Sequence, residues 1–127
     1  MNRFQTHSHF IGLARAEAST AESNDGVSVG AVLVKGDELI VKAHDQIVQM
    51  NNPIAVAEME CIRQAGRRSD QSELTLYSTR YPDMLVVGTV LQFSIGAMVI
   101  ALPETQSPAI DLLKQKSVPV TFFPADQ

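Results

Sequence analysis

The sequence has a single cysteine and no long apolar run. One thiol, that of Cys61, excludes an intramolecular disulfide and fits a reducing compartment. The longest apolar stretch, residues 84–91, is interrupted by Gly88 and Thr89 and is far too short to span a bilayer. The N-terminal segment also lacks the apolar core of a signal peptide. Together these absences predict a soluble, cytoplasmic protein with no membrane partner.

An excess of positive charge is missing as well. The formal net charge is −4, so the chain has no electrostatic footprint for nucleic acid, which is not an expected partner. Arg63, Arg67 and Arg68 form the only basic cluster, and a solvated helix face explains it better than a local binding patch. With 127 residues, 45% hydrophobic and 19% charged, and no repeat or linker, residues 1–127 are predicted to form one domain.

Apolar periodicity and turn signals predict four helices and five strands. The helices are predicted over residues 4–23, 53–66, 82–93 and 109–116, and the strands over residues 27–34, 39–43, 73–79, 95–102 and 118–123. A hairpin followed by strands that alternate with helices implies an α/β fold whose sheet is mostly parallel, with helices on both faces. Sites in such folds form at the carboxyl ends of strands, next to helix N-termini.

Two of the helices have recognisable sequence signals. Asn52 and Pro53 are suited to the N-cap and first position of the second helix, and Gly66 is suited to its end. Ser107 and Pro108 are likewise suited to open the fourth helix. The helix over residues 82–93 is apolar on nearly every side, which is typical of a buried helix.

A carboxylate falls on the apolar face of the second helix. At 100° per residue Glu58 lies at the centre of that face, whereas Glu60 falls on the opposite side with Arg63 and Arg67 and is expected in solvent. The apolar face consists of Ile54, Ala55, Cys61, Ile62 and Ala65. Burying a carboxylate is costly unless it is paired or functional. Two interpretations stay open: a general acid/base, or a structural carboxylate satisfied by backbone N–H groups or an arginine.

Several segments resemble the cytidine deaminase-like superfamily, most closely the branch of cytosine, guanine and tRNA adenosine deaminases. GAVLV at 30–34, AHD at 43–45 and PIAVAEM at 53–59 are similar to its first half. TLYSTRYP at 75–82, with Gly88, is similar to its second half. The resemblance covers about residues 10–102. It implies a three-layer α/β/α fold with a five-stranded mixed sheet and an N-terminal hairpin.

The resemblance also implies a chemistry, and here the sequence departs from the family. Members hold zinc with the histidine of a His-x-Glu motif and both cysteines of a Pro-Cys-x-x-Cys motif, while the glutamate shuttles protons. Glu58 matches that glutamate. The ligand positions, however, match Val56, Asp83 and Val86. Valine has no lone pair for a metal and one carboxylate cannot replace three ligands, so no zinc and no other cofactor are expected.

Two further residues match positions near the family's substrate. Asp45 stands where members often have an asparagine that hydrogen-bonds the base or ribose, and His44 before it matches a common family residue. With Asp83 they are candidate ligand-binding residues, although ordinary residues at a strand end explain Asp45 and His44 equally well. Glu58, Asp45 and Asp83 are then expected to converge without the cation that neutralised the pocket. Asp83 has a second explanation, because an acid is favourable in the first turn of a helix.

Three functional hypotheses follow. The first is a pseudoenzyme that binds a nucleobase-like molecule or a partner subunit. The second is a hydrolase or deaminase of a nucleobase or nucleoside, with Glu58 as proton shuttle and magnesium or manganese held by Asp45 and Asp83. The third is a structural protein with a filled pocket. His7 and His9 are not expected to bind a metal, since they lie in the first helix, remote from the pocket.

The helix over residues 82–93 also bears on assembly. Its apolar side chains supply more hydrophobic surface than one short helix usually needs, which predicts a homo-oligomer. They are Met84, Leu85, Val86, Val87 and Leu91. Since family members commonly pair through the helices beside the site, an active deaminase is a second candidate partner.

Overall fold

The computed structural model describes residues 2–124 and contains the predicted order of elements. The helices are α1 (Arg3–Ser23), α2 (Ala57–Ala65), α3 (Met84–Gln92) and α4 (Pro108–Gln115). The strands are β1 (Gly30–Lys35), β2 (Glu38–His44), β3 (Leu74–Ser78), β4 (Ala97–Ile100) and β5 (Val120–Phe122). None of the helices between residues 2 and 124 has the length and apolar character needed to cross a membrane.

The five strands form one mixed sheet in the order β2-β1-β3-β4-β5. β1 runs antiparallel to both of its neighbours, β2 and β3, whereas β3, β4 and β5 are parallel to one another. The mixed sheet with its N-terminal hairpin is therefore confirmed. The expectation that the sheet is mostly parallel was wrong, because the chain returns to β3 beside β1 in the opposite direction.

Helices cover both faces of this sheet and give three layers. Phe10, Ile11 and Ala14 of α1 pack with Val32 and other side chains of one face. α2, α3 and α4 pack on the opposite face, where the larger apolar cluster lies. At Gly30 a Cβ atom would lie 1.9 Å from the backbone oxygen of Ala14, so glycine is what allows α1 to approach β1 so closely. The sheet thus separates an α1 side from an α2 side.

Polar side chains cap the N-termini of α1 and α4. Asn2 caps α1: its side chain accepts a hydrogen bond from the Gln5 backbone N–H, and Gln5 accepts one from the Asn2 N–H. Ser107 caps α4 by accepting from the Ile110 N–H at 3.1 Å, with Pro108 as the first helical residue. The predicted start of α4 is confirmed.

The predicted start of α2 was wrong. Asn52 accepts a hydrogen bond from the Ile54 N–H at 3.1 Å, which closes a turn two residues on. Residues 53 and 54 form a turn in which the Ala55 N–H donates to the Asn52 carbonyl at 3.1 Å, and the helix begins only at Ala57, after an extended N-cap at Val56. Ile54 consequently lies outside the helix and is 53% exposed, so it does not join the apolar face. Gly66, with φ of 71°, ends the helix as predicted.

The third helix is shorter and less buried than predicted. It begins at Met84, after an N-cap at Asp83, and not at Pro82. Val86, Val87 and Val90 are fully buried, yet Met84 is 57% and Leu85 39% exposed. One side of α3 is therefore apolar surface, and the prediction of a fully buried helix was wrong.

Candidate functional site

The candidate site lies where two strands end and two helices begin. The register pairs Gly30 with His44 on one side, and Ala31 with Ser78 on the other, so the carboxyl ends of β2 and β3 lie at the same edge of the sheet. α2 and α3 start shortly after these strand ends. Helix N-termini carry partial positive charge, which favours carboxylates there.

Glu58 projects into this site from the first turn of α2, as helical phase predicts. It is 1% exposed, and both of its carboxylate oxygens accept hydrogen bonds. Arg80 donates from Nε to Oε2 at 2.9 Å and from Nη2 to Oε1 at 3.2 Å. The Ser78 hydroxyl donates to Oε2 at 3.0 Å. The buried carboxylate is therefore satisfied by an arginine and a hydroxyl.

Arg80 brings a fixed positive charge to the site. Burial by itself would lower the pKa of its guanidinium. The hydrogen bond and charge of Glu58, with the charges of Asp83 and Asp45, outweigh burial and raise the pKa, so the group stays ionised. The Arg80 guanidinium contacts both Glu58 and Asp83, so it supplies a positive charge between these two carboxylates, which the sequence analysis did not anticipate.

Asp83 has two structural partners. Its Oδ1 accepts a hydrogen bond from the Val86 N–H at 3.0 Å, which caps α3. Its Oδ2 accepts from Nη1 of Arg80 at 3.3 Å, although the Asp83 side chain is 52% exposed. Asp83 thus stabilises the start of α3, as its position in the sequence suggested, and it also holds the Arg80 guanidinium in place.

Asp45 follows β2 and is only 2% exposed. Its Oδ1 accepts from the Ile47 N–H at 3.1 Å, and its own N–H donates to the Val29 carbonyl at 3.0 Å. The Asp45 charge acts on Arg80, so the residue belongs to the same electrostatic group as Glu58. Its local bonds shape the turn that leads into the loop before α2.

His44 lies on the other side of the sheet. Its Nδ1 is 3.2 Å from Oε1 of Glu17 on α1, and its Nε2 is 3.0 Å from the Gln46 amide nitrogen. The structure places His44 with α1, whereas Glu58 packs on the α2 side.

The residues that the sequence resemblance matched to zinc ligands lie at the starts of α2 and α3. Val56 is the N-cap residue of α2 and is 8% exposed. Val86 lies in the first turn of α3 and is fully buried. Both belong to the apolar cluster between the sheet and the helices of that face. The two helix starts thus meet through apolar packing near Glu58.

Two other residues of α2 are buried. Glu60 was expected in solvent but is 4% exposed, because its carboxylate lies under Arg63, which donates to it at 2.7 Å from Nη2. Cys61 is fully buried, and burial, followed by the charges of Glu58 and its neighbours, raises the pKa of the thiol. A thiol in this state is unreactive.

The described residues contain no ready metal centre. Between residues 2 and 124 no three His, Cys, Asp or Glu side chains lie close enough together to hold an ion. His7 bonds instead to Tyr77, with its Nδ1 2.8 Å from the hydroxyl. This contact is on the α1 side of the sheet, remote from Glu58.

Sequence reasoning missed the role of Arg80. An arginine was named as one way to satisfy Glu58, without saying which one. A signal was available, because Arg80 follows β3 by two residues at the sheet edge where sites form, and the other candidate cations, Arg63 and Arg67, were already placed on the outer side of α2.

Comparison with known proteins decides the family. The model of the cytidine and deoxycytidylate deaminase zinc-binding region matches residues 4–102. The chain belongs to this deaminase family. The matched range includes Glu58, Arg80 and Asp83.

The chain is similar to tRNA-specific adenosine deaminases within this family. It is 39% identical to that of Aquifex aeolicus over 77 residues, which cover 58% of this chain and 51% of the relative. It is 36% identical to that of Agrobacterium fabrum over 106 residues, covering 81% and 70% of the two chains. The chain thus spans about half the length of the first of these deaminases.

A solved structure shares the deaminase fold. The chain of a tRNA deaminase that performs A-to-I editing at the wobble position superimposes with a TM-score of 0.78. The two chains are 24% identical, and the match covers 91% of this chain and 92% of the other. The three-layer α/β/α fold predicted from the resemblance is confirmed.

Proposed function

We propose that this member of the deaminase family is a pseudoenzyme, which uses the family's fold to bind a nucleobase-like molecule or a partner subunit without deaminating it. The observation that carries the proposal is the pair formed by Glu58 and Arg80, with Nε–Oε2 and Nη2–Oε1 distances of 2.9 and 3.2 Å. The Arg80 guanidinium binds both oxygens of Glu58, the carboxylate that the resemblance matches to the family's proton shuttle.

The available donors do not fit zinc. Structural and catalytic zinc sites need three or four nitrogen, sulfur or oxygen ligands around one point. Val56 and Val86 offer none, and both are packed into the apolar cluster. Asp83 offers a carboxylate, but its oxygens already accept from the Val86 N–H and from Arg80.

Proton transfer is also unfavourable in this arrangement. A general acid/base needs a carboxylate oxygen within hydrogen-bond distance of the reacting atom. Oε1 of Glu58 accepts from Arg80, and Oε2 accepts from Arg80 and Ser78. A substrate ring would have to displace the arginine before it reached the carboxylate. The pair therefore supports a binding role over a catalytic one.

Metal analysis and an ammonia assay test the proposal together. Protein without a histidine tag is analysed for zinc, and then incubated with cytosine, guanine, adenine and their nucleosides, alongside an active deaminase as positive control. We expect substoichiometric zinc and no ammonia above the protein-free blank. One zinc per chain, or ammonia release proportional to protein concentration, would contradict the proposal.

A second arm tests the alternative hydrolase with magnesium or manganese. After chelation and dialysis, each ion is added back before the same ammonia assay. We expect no ammonia with either ion, because the carboxylates of Asp45 and Asp83 already accept hydrogen bonds from the protein. Release that depends on added ion would favour the enzyme.

A thermal shift series tests ligand binding. The same nucleobases and nucleosides are added at millimolar concentration, and a rise in Tm is expected for at least one of them or for an added partner deaminase. If no compound or partner raises Tm, the protein is better described as structural, with a filled pocket. Arg80→Lys is the matched variant, since it keeps the charge but loses the two-point contact with Glu58.

A further inference from the structure

A second concave surface lies at the opposite end of α2 from Glu58. It is a cleft of about 470 Å³, and a second opening of about 480 Å³ continues it past Arg67, Arg68 and Ser69. We call it the arginine cleft. Its principal lining residues are Ile62, Arg63, Arg67, Arg68, Gln71 and Phe93. From Glu58 to Gly66 the helix advances about 12 Å, so the cleft is separate from the candidate site.

The arginine cleft displays positive charge and hides its counter-charges. The Arg63 side chain is 61% exposed, whereas its partner Glu60 is 5% exposed. Asp70 is 17% exposed and is shared between Arg68 and Lys35, at 2.8 and 3.1 Å. Because the carboxylates lie beneath the guanidinium groups, a molecule entering the cleft meets the arginines first.

The arginines keep unused hydrogen-bond donors. Arg63 and Arg68 each bind their carboxylate through Nε and Nη2, and among the residues that the structure describes neither Nη1 has a hydrogen-bond partner. The Arg67 side chain makes no hydrogen bond or ion pair with any other residue in the range 2–124. A guanidinium carries five N–H donors in a planar fork that matches the oxygens of a phosphate. Several such donors converge on this one cleft.

An apolar wall completes the cleft. Phe93 ends α3 and is 42% exposed, and Ile62 lies beside it in the lining. Aromatic side chains stack on nucleobases regardless of base identity. The volume is in the range of small-molecule sites. The chain's net charge of −4 opposes the approach of a long polyanion, which favours a small ligand with one phosphate group.

We propose that the arginine cleft binds a nucleoside phosphate, with the phosphate on Arg67 and Arg68 and the base against Phe93. This site is distinct from the Glu58 site and does not depend on any catalytic activity. A phosphate that replaces water at Arg67 gains charge-assisted hydrogen bonds, whereas the ring gains stacking with Phe93.

Calorimetric titration with three probes tests the proposal. Guanosine 5′-monophosphate, guanosine and inorganic phosphate are titrated into the wild-type protein and into Arg67→Ala, Phe93→Ala and Arg3→Ala. We expect the nucleotide to bind more tightly than phosphate, and guanosine to bind at least tenfold more weakly than the nucleotide. Arg67→Ala should weaken nucleotide binding by about tenfold to a hundredfold. Phe93→Ala should weaken the nucleotide while leaving phosphate unchanged.

Arg3→Ala is the matched control, because it removes the same charge from an exposed position on α1. We expect its affinity to stay within twofold of wild type. Equal losses in Arg3→Ala and Arg67→Ala would show unspecific charge attraction and overturn the proposal, as would no nucleotide binding at millimolar concentration.

Amide chemical shifts locate the bound nucleotide. Residues 66–69 and Phe93 should shift on titration, while Ser78 and Arg80 stay in place. Shifts confined to Ser78 and Arg80 would place the nucleotide in the Glu58 site and overturn the assignment. Binding of RNA without binding of the mononucleotide would overturn it as well.

Discussion

Arg80 and Glu58 form a two-point contact in which the guanidinium lies 27% exposed and the carboxylate 1% exposed. The arginine follows β3 and the glutamate lies in the first turn of α2, so the contact joins the sheet to the helix layer at the centre of the candidate site. The Arg80 backbone N–H also donates to the Ser78 hydroxyl at 3.2 Å, which in turn donates to Glu58. The three residues thus form one closed hydrogen-bonded unit.

The first prediction concerns stability. Arg80→Ala should lower the free energy of unfolding by about 3 kcal/mol, because it leaves the Glu58 charge buried without its partner. The double variant Arg80→Ala with Glu58→Gln should recover a large part of the loss, since the neutral amide is cheaper to bury. Urea denaturation of the three proteins measures both effects.

Arg67→Ala is the control for this comparison. Arg67 is exposed, so its replacement should change stability by less than about 0.5 kcal/mol. If Arg80→Ala is no more destabilising than Arg67→Ala, the pair contributes nothing and the account of Glu58 as a paired carboxylate is wrong.

The second prediction concerns zinc. The combined variant Val56→His, Asp83→Cys and Val86→Cys should bind about one zinc per chain, since it supplies one imidazole and two thiolates at the two helix starts. Metal analysis after gel filtration gives the stoichiometry, and removal by a chelator should lower Tm. Asp83→Cys with Val86→Cys alone should retain markedly less. A folded triple variant that binds no zinc would show that the residues were matched to the family incorrectly.

The third prediction concerns pH and the contact between His7 and Tyr77. Burial, with a smaller contribution from Arg3, lowers the pKa of His7 from 6.5, whereas burial raises the pKa of Tyr77 to about 12. Tyr77 therefore stays protonated and donates to neutral His7. The unfolded chain takes up a proton at higher pH than the folded one. Stability should then be complete above pH 6.5 and fall as the pH drops towards the pKa of folded His7.

Tm measured between pH 8 and pH 5 tests this behaviour. His7→Gln keeps an acceptor for the Tyr77 hydroxyl but does not titrate, so its Tm should depend less on pH than that of the wild type. His9→Gln, at an exposed neighbouring position, should follow the wild type. Identical profiles for the wild type and His7→Gln would rule out the proposed linkage.

The fourth prediction concerns self-association. Met84 and Leu85 on α3, and Met50 and Ile54 in the loop before α2, are exposed apolar side chains. Sedimentation at micromolar protein should give at least twice the monomer mass, and Met84→Glu should lower it, because the charge cannot be buried in an apolar contact. Val27→Glu changes an exposed apolar residue elsewhere and should leave the mass unchanged. A monomeric wild type would refute the prediction.

Much of the fold could be predicted because local signals and tertiary structure agree. Periodicity and turn signals located the four α-helices and five strands within residues 2–124, and Gly66 and Ser107 marked helix ends correctly, whereas the short 3-10 helix Gln71–Glu73 was not predicted. The helix start predicted at Asn52 and Pro53 was wrong because Asn52 stabilises a turn as readily as a helix start. Contacts elsewhere in the fold determine which of the two forms. The prediction that Glu60 lies in solvent was wrong because helical phase gives the direction of a side chain but does not reveal that Arg63 covers it.

The candidate site could be predicted only in part, because some of its contacts join different elements of the fold. Helical phase placed Glu58 inward, and this depends on α2 alone. Its partner Arg80 is 22 residues away in sequence. His44, the last residue of β2, contacts Glu17 on α1, whereas Asp45 follows the strand and its charge acts on Arg80, although the two residues are adjacent in the sequence. Pairings between elements need the three-dimensional arrangement of strand ends.

The closed unit of Ser78, Glu58 and Arg80 also determines how the site competes for ligands. Arg80 is tethered two residues after Ser78, so its local concentration at Glu58 is millimolar or higher, whatever is in solution. Any cation or hydrogen-bond donor arriving from outside binds only during the fraction of time in which the pair is open. If that fraction were about one in a hundred, the apparent affinity would fall about a hundredfold. A molecule that binds at this site must therefore bind with Arg80 still paired to Glu58, so that the arginine forms part of the surface it contacts.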